Sequence, residues 1–139
     1  MKRGYYGIAL YEPKTTENIG TILRSAHNFD CDFICTIGAR YKKQPSDTTD
    51  AQKHIPVFHY DTLEHFLESV PKNATILRCE VDGKNALETL KHPECAIYIF
   101  GGEDRSVPEI PLSMGVKIDT KFCLNLATTA SIFMFHRSK

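Results

Sequence analysis

This chain has no excess of either charge: 17 Lys and Arg stand against 17 Asp and Glu, a formal net charge of zero over 139 residues. Such a chain does not draw polyanions by its overall field, so contact with nucleic acid has to rest on a local patch or on two patches pooled in a dimer. Long apolar runs are missing too, and the longest are too short to cross a bilayer. The start, Met1-Lys2-Arg3-Gly4-Tyr5-Tyr6, leads into a strand-like run and not into a signal-peptide core with a cleavage site. Together these absences predict a cytoplasmic protein with no membrane partner. Paired-cysteine spacing is also absent. Cys31, Cys35, Cys79, Cys95 and Cys123 form an odd set with no C-x-x-C, mostly inside apolar runs, and read as small buried thiols. The six histidines offer no ligand spacing to complete a site around Cys31 and Cys35, so no metal is expected.

What is present fits one globular domain over residues 1–139, with 42% hydrophobic and 24% charged residues and enough length to bury a core without cross-links. That length leaves no room for a second folded domain or a separate RNA-binding module. Strand-like runs occur at 7–11, 33–37, 57–59, 74–79 and 96–100, with a weaker one at 116–118. Helical patterns occupy 18–29, 63–70 behind Asp61 or Thr62 as a cap, a short stretch at 86–90, and 125–137. This alternation predicts an α/β fold, a mostly parallel sheet with helices on both faces. Sites in such sheets lie beyond the carboxyl ends of the strands.

Three short segments fall at those ends. In the first helix, Gly20 lies one turn before Arg24, so a bare backbone sits beside an extended guanidinium able to bind a phosphate or an oxyanion. The same residues also fit an ordinary amphipathic helix with a surface arginine. The second segment, Phe100-Gly101-Gly102-Glu103, puts two glycines where a buried strand ends, as a tight turn or a close ligand approach requires. Glu103 can accept hydrogen bonds from that loop or from Arg24. No G-x-G-x-x-G is present, so a dinucleotide site is disfavoured. The third segment, Cys123-Leu124-Asn125-Leu126-Ala127, opens the last helix, with Asn125 as its cap. That helix is apolar nearly all round, which predicts burial against the sheet on one side and a partner subunit on the other.

In this order the segments resemble the SpoU/TrmH branch of the SPOUT RNA methyltransferases, over about residues 7–137. The first motif of that family, N-x-G-x-x-x-R, is matched by Asn18, Gly20 and Arg24; the second, G-x-E-x-x-G, at Gly101 and Glu103, with Ser106 for the last glycine. The third is matched at Ile118, Leu124, Asn125 and Ala127, with Asp119 where proline is usual, Cys123 where serine is usual, and His136 near a frequent glutamate.

The resemblance implies a C-terminal deep trefoil knot and a bent S-adenosyl-L-methionine held mostly by backbone groups of the knot loops. Here those loops carry Cys79, Glu80, Gly101, Ile118, Leu124, Leu126 and Ala127. It implies 2′-O-methylation of an RNA ribose, with Arg24 stabilising the developing alkoxide and Asn18, Glu103 and Asn125 supporting it. It also implies a homodimer. The loop 38–46 carries Arg40, Tyr41, Lys42 and Lys43, cations interleaved with an aromatic ring, which fits RNA contact as well as a solvated loop. A small structured RNA such as tRNA fits a knot domain acting alone better than rRNA does. The competing readings are rRNA methylation and a non-catalytic RNA-binding module on the same fold.

Overall fold

The computed structural model describes residues 4–41, 54–121 and 123–139. The chain runs β1 (Tyr5–Tyr11), α1 (Thr16–Asn28), β2 (Phe33–Ile37), β3 (Val57–Tyr60), α2 (Leu63–Ser69), β4 (Thr75–Cys79), β5 (Asn85–Ala86), β6 (Cys95–Gly101), β7 (Met114–Lys117) and α3 (Leu126–Arg137). The seven strands form one sheet in the order β3-β2-β1-β6-β4-β7-β5, and every pairing in it is parallel.

β1 and β6 lie at the centre and are apolar along their length because both faces of the sheet are covered. Alternate side chains separate into two cores. Tyr6, Ile8 and Leu10 of β1 pack with Ile19, Ile22 and Leu23 of α1 and with Leu126, Ala130 and Phe133 of α3. Ala9, with Ile97 and Ile99 of β6, packs on the opposite face with Phe66 of α2 and with Val107 and Ile110 of the loop after β6. Of the two candidate caps for α2, Thr62 is the one used: its side chain accepts from the His65 N–H.

The structure shifts three expected boundaries. α1 starts at Thr16, two residues early, because Thr16 and Glu17, polar enough to read as linker, supply its first turn. The weak strand at 116–118 is β7, running from Met114 to Lys117. The short helix expected at 86–90 is strand β5 followed by a 3-10 turn over Leu87–Thr89.

The last helix also differs from expectation. Its second side, assigned to a partner subunit, is met in large part by α1 of the same chain. The Ser25 and Ser131 hydroxyls are 2.7 Å apart, and Phe29 meets Phe135 edge-on with centroids 6.2 Å apart. Phe135 nevertheless stays 51% exposed. The far end of α3 is tied to the start of β6: Arg137 donates to the Pro93 carbonyl (2.7 Å), the Glu94 carbonyl (2.9 Å) and the Tyr98 hydroxyl (2.9 Å). No helix among the described residues is long and apolar enough to cross a membrane.

Candidate functional site

A cavity of about 500 Å³ opens beyond the carboxyl ends of β4, β6 and β7 and is closed by the entry to α3. Six of the residues expected at a cofactor line it: Cys79, Glu80, Gly101, Ile118, Leu124 and Leu126. Ala127 does not; it is buried in the core that α3 shares with the sheet.

The glycines of the second segment have a different reason from ligand approach. A Cβ on Gly101 would lie 2.1 Å from the Arg105 carbonyl oxygen, and one on Gly102 would lie 2.3 Å from that of Glu12. Both are therefore required by backbone of the chain itself, and the Gly102 N–H donates to the Tyr11 carbonyl at 2.7 Å.

Charge on the cavity wall is one-sided: among the described residues, Glu80, Asp82, Glu103 and Glu109 face only Arg78 and Arg105. Arg78 pairs with Glu80, the residue just past the end of β4, and donates from Nε to Ser113 Oγ at 2.6 Å. The Cys79 thiol is pushed well above its ordinary pKa by burial and by the nearby Glu80, so it is a neutral part of the wall.

From this wall a file of hydrogen bonds joins all three segments. Both Glu103 oxygens are used: Oε1 accepts from the Lys14 N–H (3.1 Å), and Oε2 from the Thr15 N–H and the Thr15 hydroxyl (2.9 Å each). Thr15 Oγ1 in turn accepts from Asn18 Nδ2 at 3.2 Å, and Asn18 Oδ1 accepts from Asn125 Nδ2 at 3.2 Å. Asn125 Oδ1 caps α3 by accepting from the Thr128 N–H at 3.2 Å. Glu103 thus holds the entry to α1 and not Arg24. Burial raises the Glu103 pKa, but the hydrogen bonds from Lys14 and Thr15 outweigh it and hold the carboxyl below its usual range.

Asn18, Asn125 and Arg24 do not line the cavity. Asn125 lies between two residues that do, and Asn18 is one hydrogen bond further out. Arg24 is exposed on α1, and none of its side-chain nitrogens is held by an acceptor among the described residues. Beside it Gly20 faces open space: a Cβ there would meet nothing within 4 Å. Arg40 is engaged differently from the free cation its loop suggested. Its Nε donates to the Glu12 carbonyl at 3.0 Å and its guanidinium pairs with Asp104, whose carboxyl that bond pulls down to about 2. Lys42 and Lys43 lie outside the described residues. None of the five cysteines is in a disulfide; Cys31 and Cys35 are buried as expected, whereas Cys123 is exposed and lines the cavity. Among the described residues no three His, Cys, Asp or Glu side chains gather to hold a metal ion.

Sequence reasoning missed Thr15 and Arg78, the partner of the expected Glu80. Arg78 had a signal, a lone charge in an otherwise apolar strand two residues before Glu80. For Thr15 the only signal was its position three residues before Asn18, at a helix start.

The model of the SpoU rRNA Methylase family matches residues 6–135. No curated protein sequence matches the chain. Among solved structures, a protein studied for 2-OH methylation of C/U34 on tRNA is 22% identical with a TM-score of 0.84, covering 95% of this chain and 93% of its own. AviRb of Streptomyces viridochromogenes, a SpoU methyltransferase in complex with AdoMet, is 16% identical with a TM-score of 0.87, over 99% of this chain and 58% of its own. An AdoMet-bound rRNA methyltransferase of Sinorhizobium meliloti is 20% identical with a TM-score of 0.83, over 96% and 56%.

Proposed function

This chain belongs to the SpoU rRNA Methylase family, and from that premise we propose that it transfers a methyl group from S-adenosyl-L-methionine to a ribose 2′-hydroxyl of RNA, tRNA in preference to rRNA. The observation that carries the reading is the file from Glu103 to Asn125, which gathers three distant segments at the rim of one acidic cavity. The support for tRNA is the match over 93% of the protein studied on tRNA C/U34, against 56% of the rRNA methyltransferase.

The cavity suits the cofactor in size and charge. Drug-sized ligands occupy about 300–1,000 Å³, and four carboxylates against two guanidiniums favour a net cation such as a sulfonium carrying an amino acid. The residues that would hold it are those of the three loops, with Cys79, Gly101, Ile118, Leu124 and Leu126 among them. When bound, the cofactor supplies an activated methyl group, so the protein has to align an acceptor and help it lose a proton.

A ribose hydroxyl is far too weak an acid to ionise near neutral pH, and positive charge at the reacting oxygen is the main aid. Arg24 suits that task. It is always charged, it is exposed, and the bare backbone of Gly20 leaves the space beside it open. Asn18 and Asn125 each keep one amide N–H uncommitted, so they add donors for an anionic oxygen. Glu103 is not the base, because its oxygens are spent on Lys14 and Thr15 and its proton affinity is lowered.

We extend the proposal to a homodimer through α3, supported by the exposed Phe135 and Leu124, and to knotted threading of the C-terminal part, supported by β7 lying between β4 and β5. The non-catalytic module stays as a second reading because Ser106 and Cys123, two of the family departures, line the cavity. Arg24→Ala tests the assignment: loss of methyl transfer with cofactor affinity unchanged is expected. Equal loss of both would place Arg24 in binding or folding, and wild-type protein that binds no cofactor by calorimetry would favour the module.

A further inference from the structure

Thr15 sits at the N-cap of α1, where a threonine oxygen ordinarily accepts from a backbone N–H of the first turn. Here it makes no capping bond. Its hydroxyl instead bridges Glu103, a residue 88 positions away, to the side chain of Asn18. A local rule of helix stability is broken at a residue that connects the first segment to the second. Such a break marks a site whose side chain has other work.

The direction of every bond in the file follows from its ends. An ionised carboxylate only accepts, so the Thr15 O–H donates to Glu103, and the Thr15 oxygen is left to accept from the Asn18 NH₂ group. At the other end the Thr128 N–H only donates, which fixes Asn125 Oδ1 toward it and turns the Asn125 NH₂ group toward Asn18 Oδ1. Without the Thr15 hydroxyl the Asn18 amide can turn over, and its NH₂ group then faces that of Asn125, donor against donor.

Resting on the reading of function above, we propose that Thr15 is a positioning residue for methyl transfer: with Asn125 oriented from the other end by the Thr128 N–H, the Thr15 hydroxyl holds the Asn18 amide in the one polarity that lets both amides bond. The two amides then present N–H groups, and not carbonyl oxygens, to an anionic oxygen of the substrate.

Thr15→Val keeps the side-chain shape and deletes the hydroxyl, and Thr15→Ser restores it. With wild-type protein, labelled cofactor and total RNA, Thr15→Val is expected to lower kcat about tenfold. Cofactor affinity by calorimetry and KM for RNA should stay within about twofold and Thr15→Ser should recover most of the loss. The relay also predicts coupling between residues that do not touch. Combined with Asn125→Ser, which keeps a capping oxygen but loses the amide, Thr15→Val should add little further loss. Unchanged kcat in Thr15→Val, failure of Thr15→Ser to rescue, or additive losses in the double variant would each overturn the inference alone. An inactive wild-type protein would overturn the reading of function and this inference with it. Should Thr15→Val not fold, Thr15→Ala is the second hydroxyl-free variant, read by the same three outcomes.

Discussion

Acid should loosen the attachment of α3 to β6 through one histidine. Arg137 only donates, and it donates to Tyr98 Oη at 2.9 Å, so the phenol proton goes to His92 Nδ1 at 2.6 Å. His92 Nε2–H then donates to His136 Nδ1 at 2.7 Å, and His136 Nε2–H to the Glu88 carbonyl at 3.2 Å. Both imidazoles are neutral in this arrangement, and one more proton leaves a donor in the file with no acceptor. Burial, then His136, then Arg137 lower the His92 pKa from 6.5 to about 4. Between those values the unfolded chain binds the proton and the folded chain refuses it. Stability is therefore full above about pH 6.5 and is lost as pH falls toward 4. The whole displacement corresponds to about 3 kcal/mol, and the partial exposure of His92 reduces this to about 1–2 kcal/mol. Urea unfolding of wild type and His92→Gln from pH 7.5 to 4.5 isolates the effect, because carboxylates common to both cancel. The wild type should lose about 1–2 kcal/mol more than the variant over that range. Parallel profiles would refute the neutral file.

Two further perturbations follow from the packing. Gly102→Ala should cost about 1–3 kcal/mol in urea unfolding and weaken cofactor binding, since the new methyl meets Glu12 and Tyr11 backbone that cannot rotate away; a variant as stable as wild type would mean the loop shifts freely. If α3 forms a subunit interface, sedimentation should give a dimer at micromolar concentration and Phe135→Asp a monomer, whereas a monomeric wild type would limit the contacts of α3 to α1 and the sheet.

The sheet was legible because its central strands, such as Tyr5–Tyr11 and Cys95–Gly101, carry unbroken apolar runs that only a doubly covered sheet can bury. β5 was not, since two residues cannot display a period. The two-sided apolarity of α3 was visible, but not which surface meets its second side, since helices of the same chain and of a partner place the same demand on sequence. The three motif segments could be read singly from residue type and spacing. Their physical connection could not, because it passes through Thr15, whose partners lie 3 and 88 positions away. Arg40 carries the same lesson: it reads as a free cation beside Lys42, yet its acceptor Asp104 is 64 positions distant.

The central claim is tested most directly by the product. After incubation of wild-type protein with total RNA and methyl-labelled S-adenosyl-L-methionine, the RNA is digested to nucleosides and the label located by mass spectrometry. The account predicts label on ribose as a 2′-O-methylnucleoside, carried by the tRNA fraction. Label on a base would contradict it, and so would RNA left unlabelled by protein that binds the cofactor.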